Sequence, residues 1–148
     1  MKTYIPKLDE VKAQKRWWLI NLDGLTLGKA AIRVADVLRG KNKAIFTPHI
    51  DTGDYVVAIN ASKLSISGNK AEDKKYYRYS GYPGGLKEAT FNNMMAKYPT
   101  RVFEHAVRGM LPKNRLGRRI YKKLHVYADG QHPHQAQKPE ILKLSDSN

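Results

Sequence analysis

Six of the eleven residues from Lys113 to Lys123 are basic: Lys113, Arg115, Arg118, Arg119, Lys122 and Lys123. None is acidic. An α-helix advances about 100° per residue, so a helix over Lys113 to Leu124 places Arg115, Arg118, Arg119 and Lys122 on one stripe. Leu116, Ile120 and Leu124 then fall on roughly the opposite side. One face docks into a core and the other presents fixed cations to a polyanion. A solvated basic face is the plain alternative. Against it, no Asp or Glu stands at i±4 to pair with these cations, and like charges at that spacing repel. A partner that supplies anions relieves the repulsion.

Other spacings suggest catalysis or metal binding and fall short. Gly24-Leu25-Thr26-Leu27-Gly28-Lys29 resembles a phosphate loop, but that loop needs four residues between its glycines and a hydroxyl after the lysine. Three residues stand here, and Ala30 takes the hydroxyl's place. A tight strand-to-helix turn is the simpler reading, although its helix N-terminus can still attract a backbone phosphate. Asp51-Thr52-Gly53 matches the tripeptide of aspartic proteases. That mechanism requires two carboxylates sharing a proton in a dry cleft, whereas His49, Pro48 and Asp54 make this region polar. A turn that uses Asp and Gly for their backbone preferences accounts for it. His132-Pro133-His134, with His125 upstream, is a weak metal signal without Cys or an acidic cluster and reads as surface histidines in a polar tail. No catalytic residue, metal ligand or cofactor is expected.

Composition narrows the partner. The chain has 148 residues, 41% of them hydrophobic, enough for one domain with a core. Lys and Arg number 27 against 13 Asp and Glu, a net charge of +14. Such an imbalance points to nucleic acid first and an anionic membrane second. The longest apolar run near the N-terminus, Trp17 to Ile20, is far too short for a membrane span or signal segment. The absence of cysteine excludes disulfides and thiolate metal sites, and it fits a reducing compartment, the cytosol by default. The charge is also concentrated, with nine basic residues and the single acid Glu104 between Lys97 and Leu124.

These residues need a scaffold. Residues 1–15 read as a polar N-terminal arm, 16–130 as an α/β RNA-binding domain and 131–148 as a surface tail. Trp17–Asn21, Tyr55–Ile59, Lys75–Tyr79 and His125–Ala128 carry strand patterns, with a further short apolar run at Leu64–Ile66. Helical spacing covers Leu27–Arg39, with Gly40 as its C-cap, then Phe91–Tyr98 and Arg101–Met110. Tyr82-Pro83-Gly84-Gly85 reads as a loop that interrupts regular structure. Strands that are apolar runs, alternating with helices, predict a single α/β domain whose parallel sheet is covered on both faces, with a helix-rich, basic C-terminal half.

Three further segments point the same way as the basic stripe. Arg39-Gly40-Lys41-Asn42-Lys43 is a basic helix exit that leads to Thr47-Pro48-His49. Lys74-Lys75-Tyr76-Tyr77-Arg78-Tyr79 interleaves cations with aromatics, a composition that contacts phosphates and stacks on bases. Gly84-Gly85 offers two residues without Cβ, so backbone can approach a phosphate closely. A folded RNA suits this spread of contacts better than a DNA operator, because no helix-turn-helix or zinc-finger signature is present.

In this order the segments resemble the bacterial form of the universal L-thirteen family of large-subunit ribosomal proteins. The resemblance rests on Leu38-Arg39-Gly40-Lys41, Thr47 to Tyr55, Tyr76 to Gly85, Gly109 to Arg118 and Lys123 to Ala128, and extends from about Trp17 to Pro139. It implies a three-layer α/β/α domain with a mostly parallel four-stranded sheet, bound to 23S ribosomal RNA beside neighbouring large-subunit proteins, joining early in assembly and catalysing nothing. A free messenger-RNA-binding regulator uses the same surface, and an RNA- or nucleotide-processing enzyme is the remaining alternative. Neither a membrane nor a small-molecule substrate is implied. Carried onto this chain, the RNA-binding set is Arg39, Lys41, Lys43, His49, Lys74, Tyr76, Arg78, Gly84, Gly85, Lys113, Asn114, Arg115 and Arg118. Lys29, Lys75, Arg119, Lys122 and Lys123 join it on charge and position. Lys29 stands where the family usually has Arg, Tyr79 where His is common, and Asp129-Gly130 where a single Gly is usual.

Overall fold

A computed structural model describes residues 3–144; residues 1–2 of the arm and 145–148 of the tail lie outside the described residues. Four parallel strands build the main sheet: β1 (Trp17–Asn21), β2 (Tyr55–Ile59), β5 (Leu124–Val126) and β6 (Glu140–Ile141), in the order β5-β2-β1-β6. Trp17 pairs with Tyr55 and Leu19 with Val57, which in turn pairs with His125. Because side chains alternate across a strand, this register divides the sheet into two unlike faces.

One face carries Trp18, Ile20, Val56, Ala58 and Val126 and is covered by helices. Helix α2 (Leu27–Arg39) buries Leu27, Ala30, Ala31, Val34 and Leu38 there, the stripe expected from its 3.6-residue spacing. Helix α5 (Pro99–Met110) adds Val102, Phe103 and Val107, and α6 (Arg115–Tyr121) adds Ile120. Gly40 ends α2 at φ +78°, as its C-cap position predicts. A side chain there is barred twice over, because a Cβ would also lie 2.6 Å from Thr52 Oγ1.

The other face carries Trp17, Tyr55 and His125, stacked as parallel rings, with 4.4 Å between Trp17 and Tyr55. The tail covers them. Its turn of 3₁₀ helix, His134–Gln137, begins with His134, which lies 4.6 Å from the His125 ring and shares a 2.6 Å hydrogen bond with the Tyr127 hydroxyl. Beyond the turn, β6 adds the edge strand beside β1. The histidines expected on the surface of a polar tail are therefore half-buried packing residues.

Two segments differ from the sequence expectation. Leu64–Ile66 forms only a single bridge, Ser65 to Thr26. The Tyr82–Gly85 loop is the turn of an antiparallel hairpin between β3 (Lys75–Tyr79) and β4 (Leu86–Thr90). Leu86-Lys87-Glu88-Ala89-Thr90 has little strand propensity of its own, and pairing with β3 imposes its conformation. Helices α1 (Leu8–Ala13), α3 (Lys70–Asp73) and α4 (Phe91–Lys97) complete the fold.

The outer-face cluster makes stability depend on pH. Burial, aided by its neighbour His134, lowers the His125 pKa below its usual 6.5, and burial with His132 nearby lowers that of His134. The unfolded chain then binds protons that the folded one refuses, so the contribution is complete above the unfolded value and is lost as pH falls below it. Thermal unfolding followed from pH 7.5 to 5 should show a falling Tm, and the combined His125→Gln, His134→Gln variant should show a shallower dependence.

Candidate nucleic-acid interface

The basic stripe survives in a shorter helix. Asn114 caps α6, its Oδ1 accepting from the Gly117 amide at 2.7 Å. Gly117 is required because a Cβ there would lie 1.8 Å from the Pro112 carbonyl oxygen. The cap and the close approach fix how α6 leaves α5, while Leu116 and Ile120 hold its inner side to the core. Lys113, Asn114, Arg115, Arg118, Arg119 and Lys122 are all exposed on the outer side. Among the described residues no acid pairs with Lys113, Arg115, Arg118, Arg119 or Lys122.

Lys123 does not belong to that surface. The helix ends at Tyr121, and the chain turns inward to start β5. Lys123 is only 4% exposed; its Nζ donates to the Leu38 carbonyl at 2.9 Å and pairs with the Asp51 carboxylate. Charge and position in the sequence suggested an outward-facing Lys123, but the helix ends three residues before Leu124 and the chain's inward turn takes Lys123 with it. Leu124 likewise packs against the core from β5 and not from α6.

Asp51 also accepts from Lys15 at 3.0 Å. Burial alone would raise its pKa, but the Lys123 and Lys15 ammonium groups outweigh burial and hold it below the usual carboxylate range. Burial pulls the Lys123 ammonium below its ordinary value against the opposing pull of Asp51. Three residues on, the buried Asp54 accepts from the Arg16 amide at 2.9 Å, the Trp18 indole at 3.0 Å and Lys43 Nζ at 2.5 Å. Lys43 also donates to the Gln14 carbonyl at 3.0 Å. Its charge is thus balanced inside the protein, and Lys43, like Lys123, is not one of the exposed cations. Between the two acids, a Cβ on Gly53 would lie 1.7 Å from the Leu38 carbonyl oxygen. The Asp51–Asp54 segment is more than a turn: it ties the N-terminal segment, the end of α2 and the start of β5 together.

The remaining candidates separate into three places. Arg39 sits over the Phe46 ring at 5.8 Å, Lys41 pairs with Asp36 at 3.3 Å, and His49 is exposed on the same loop. The Lys123 contacts join that loop to α6. Lys29 stands near the other end of α2, about 15 Å from Arg39 along the helix. Its turn is filled by protein, since Gly24 donates to the Lys63 carbonyl and Leu27 to that of Ser65. The hairpin attaches elsewhere. Tyr76 lies edge-on to His105 of α5 at 5.6 Å, and burial raises its pKa. Its ring is an anchor and not an offered stacking surface. Lys74 lies over that ring at 5.5 Å, Lys75 pairs with Glu88 at 2.7 Å, and Arg78 is exposed.

The turn itself explains the glycine pair. Gly85 donates to the Tyr82 carbonyl at 2.9 Å, with Pro83 and Gly84 between them and Gly84 at φ +70°, the requirements of a type II turn. Sequence reasoning placed Tyr77 and Tyr79 in the segment of interleaved cations and aromatics but carried neither into the RNA-binding set, and it left out Lys87; the hairpin leaves all three exposed. The alternation of β3 was the available signal, but without β4 nothing said which side faced out.

Residues 15–133 match the family described as Ribosomal protein L13. The chain is 55% identical over 144 residues to the Large ribosomal subunit protein uL13 of Coxiella burnetii (strain CbuG_Q212), spanning 97% of this chain and 100% of that one. It is 53% identical over 142 residues to the protein of the same name from Bacillus thuringiensis (strain Al Hakam), spanning 96% and 97%.

The ion pair beneath the surface can be tested apart from any ligand. Asp51→Asn leaves the Lys123 ammonium buried without its counter-charge and should destabilise the fold by about 3 kcal/mol in chemical denaturation. Adding Lys123→Met to that variant should recover much of the loss, because the buried ammonium is then gone and only the more exposed Lys15 lacks its partner. An unaltered midpoint for Asp51→Asn would show that the pair contributes nothing.

Proposed function

Because the chain belongs to the ribosomal protein L13 family, we propose that it binds 23S ribosomal RNA through the outer side of α6 and the adjoining Arg39–His49 loop, and that it supports early assembly of the large subunit. Its role in the cytoplasmic ribosome is structural, not enzymatic. Among the described residues no helix is long and apolar enough to cross a membrane.

One observation carries the RNA reading: five exposed cations, Lys113, Arg115, Arg118, Arg119 and Lys122, crowd a helix of two turns and its flanks, and no acid among the described residues pairs with them. Holding them together is unfavourable in the free protein. Phosphates that replace water and counterions around them turn the same crowding into affinity. The scaffold keeps the cations in place, since α6 is capped by Asn114 and backed by Leu116 and Ile120. Lys29, Lys41, His49, Lys74, Lys75, Arg78 and the Gly84-Gly85 turn extend the contact to other parts of the RNA. Other large-subunit proteins pack beside it in this reading.

Replacing Arg115, Arg118 and Lys122 together with Gln keeps helix propensity high and leaves the inner side of α6 intact. The variant should fold normally yet bind a 23S RNA fragment weakly, with a salt dependence shallower by about one unit of slope per lost contact. In cells it should accumulate in the free fraction and in incomplete subunits. Lys7, Lys12 and Lys143 replaced with Gln remove equal charge elsewhere and should have a smaller effect. Equal losses from the two triples would mean that bulk charge drives binding and would overturn the site.

A further inference from the structure

The β3–β4 hairpin has two chemically distinct faces. Its register pairs Tyr76 with Ala89, Tyr77 with Glu88, Arg78 with Lys87 and Tyr79 with Leu86. Alternation therefore puts Tyr76, Arg78, Lys87 and Ala89 on one side, and Lys75, Tyr77, Tyr79, Leu86 and Glu88 on the other. The first side turns toward the body, where Tyr76 meets His105. The second faces solvent, with Tyr77 63% and Tyr79 66% exposed. An isolated two-stranded ribbon is marginal in water. Here the Tyr76 anchor and the junction of β4 with α4 at Thr90 tie it to the body, Thr90 Oγ1 accepting from the Asn93 amide at 3.4 Å.

We propose that this outer face receives unpaired nucleotides of the RNA, with Tyr77 and Tyr79 each stacking on a separate base and Arg78 and Lys87 reaching the phosphates at the ribbon's edge. The inference rests on the RNA-binding reading above and adds the kind of RNA that the hairpin takes. Spacing supplies the first argument. Two same-face residues of a strand stand about 6.8 Å apart, whereas successive bases in a helix lie about 3.4 Å apart. Two adjacent bases that stay stacked on each other cannot both lie on these rings. Bases splayed from a loop or bulge can, and RNA is read most often in that state.

Charge supplies the second argument. Lys75 pairs with Glu88 on this same face, so the surface around the tyrosines is close to neutral. Arg78 and Lys87 stand directly opposite each other on the far side, a like-charge pairing that destabilises a ribbon. Among the described residues no acid pairs with either. An anionic backbone draped over the edge relieves that repulsion, and a neutral or apolar protein surface does not.

The full-length protein can be titrated with an unstructured single-stranded RNA octamer and with the same octamer annealed to its complement. Tyr77→Thr, Tyr79→Thr keeps strand propensity and removes both rings. It should weaken single-strand binding at least about tenfold, change duplex binding less than about twofold, and leave the salt slope unaltered because no phosphate contact is lost. Tyr77→Phe, Tyr79→Phe should bind as the parent does. With the unmutated protein, a single strand carrying 5-iodouridine should photocrosslink to Tyr77 or Tyr79. Equal losses on both RNAs, a Phe variant as weak as the Thr variant, or crosslinks confined to other residues would overturn the inference while leaving the α6 site standing. A photoreactive residue at position 77 that crosslinks to a ribosomal protein in whole subunits would overturn it in favour of a protein contact. Parent protein that binds neither RNA would remove the RNA-binding reading itself.

Discussion

Two carboxylates, the buried Asp54 and the partly buried Asp51, hold this protein's basic segments in register. Asp51 faces Lys123 and Lys15, and Asp54 gathers Lys43, the Trp18 indole and the Arg16 amide. All of these contacts except that of Lys43 span 36 residues or more, so together they fix where the N-terminal segment, the end of α2 and the start of β5 meet. Gly53 between them lets the loop press against the Leu38 carbonyl, where no side chain fits. A buried ion pair is weak support for net stability compared with a well-packed apolar core. Its value here is positional, since Lys123 lies between the end of α6 at Tyr121 and the start of β5 at Leu124.

That constraint sorts the cations into two populations. Lys43 and Lys123 face inward and are balanced by Asp54 and Asp51. Lys113, Arg115, Arg118, Arg119 and Lys122 face outward with no partner among the described residues. A chain of net charge +14 folds against considerable self-repulsion. Internal pairing removes part of that burden and leaves the rest at the surface, where a polyanion can use it. The outer sheet face follows a different rule, closed by Trp17, Tyr55, His125 and His134 through ring packing and not through charge.

Local signals were readable wherever the sequence period matched the element. Leu27–Arg39 with Gly40 as its cap, and the strands at Trp17 and Tyr55, declare themselves by spacing and by β-branched or aromatic runs. What escaped depended on distant partners. Leu86–Thr90 is a strand because β3 lies beside it, and Glu140–Ile141 because β1 has a free edge. Lys123 looked like one more exposed cation after Lys122, because charge along the sequence does not show where the chain turns inward. Asp51-Thr52-Gly53 looked like a turn, since the lysines it pairs with lie 36 and 72 residues away in sequence. For the same reason Tyr76 was the tyrosine carried forward as a stacking ring, while Tyr77 and Tyr79 of the same segment, which face solvent, were not.

Lysine acetylation read by mass spectrometry, on the free protein and on the protein bound to 23S RNA, tests the division of the cations directly. Lys43 and Lys123 should resist acetylation in both states. Lys113 and Lys122 should react readily in the free protein and become protected on the RNA. A Lys123 that reacts in the folded free protein, or a Lys113 and Lys122 that stay reactive in the complex, would contradict the account.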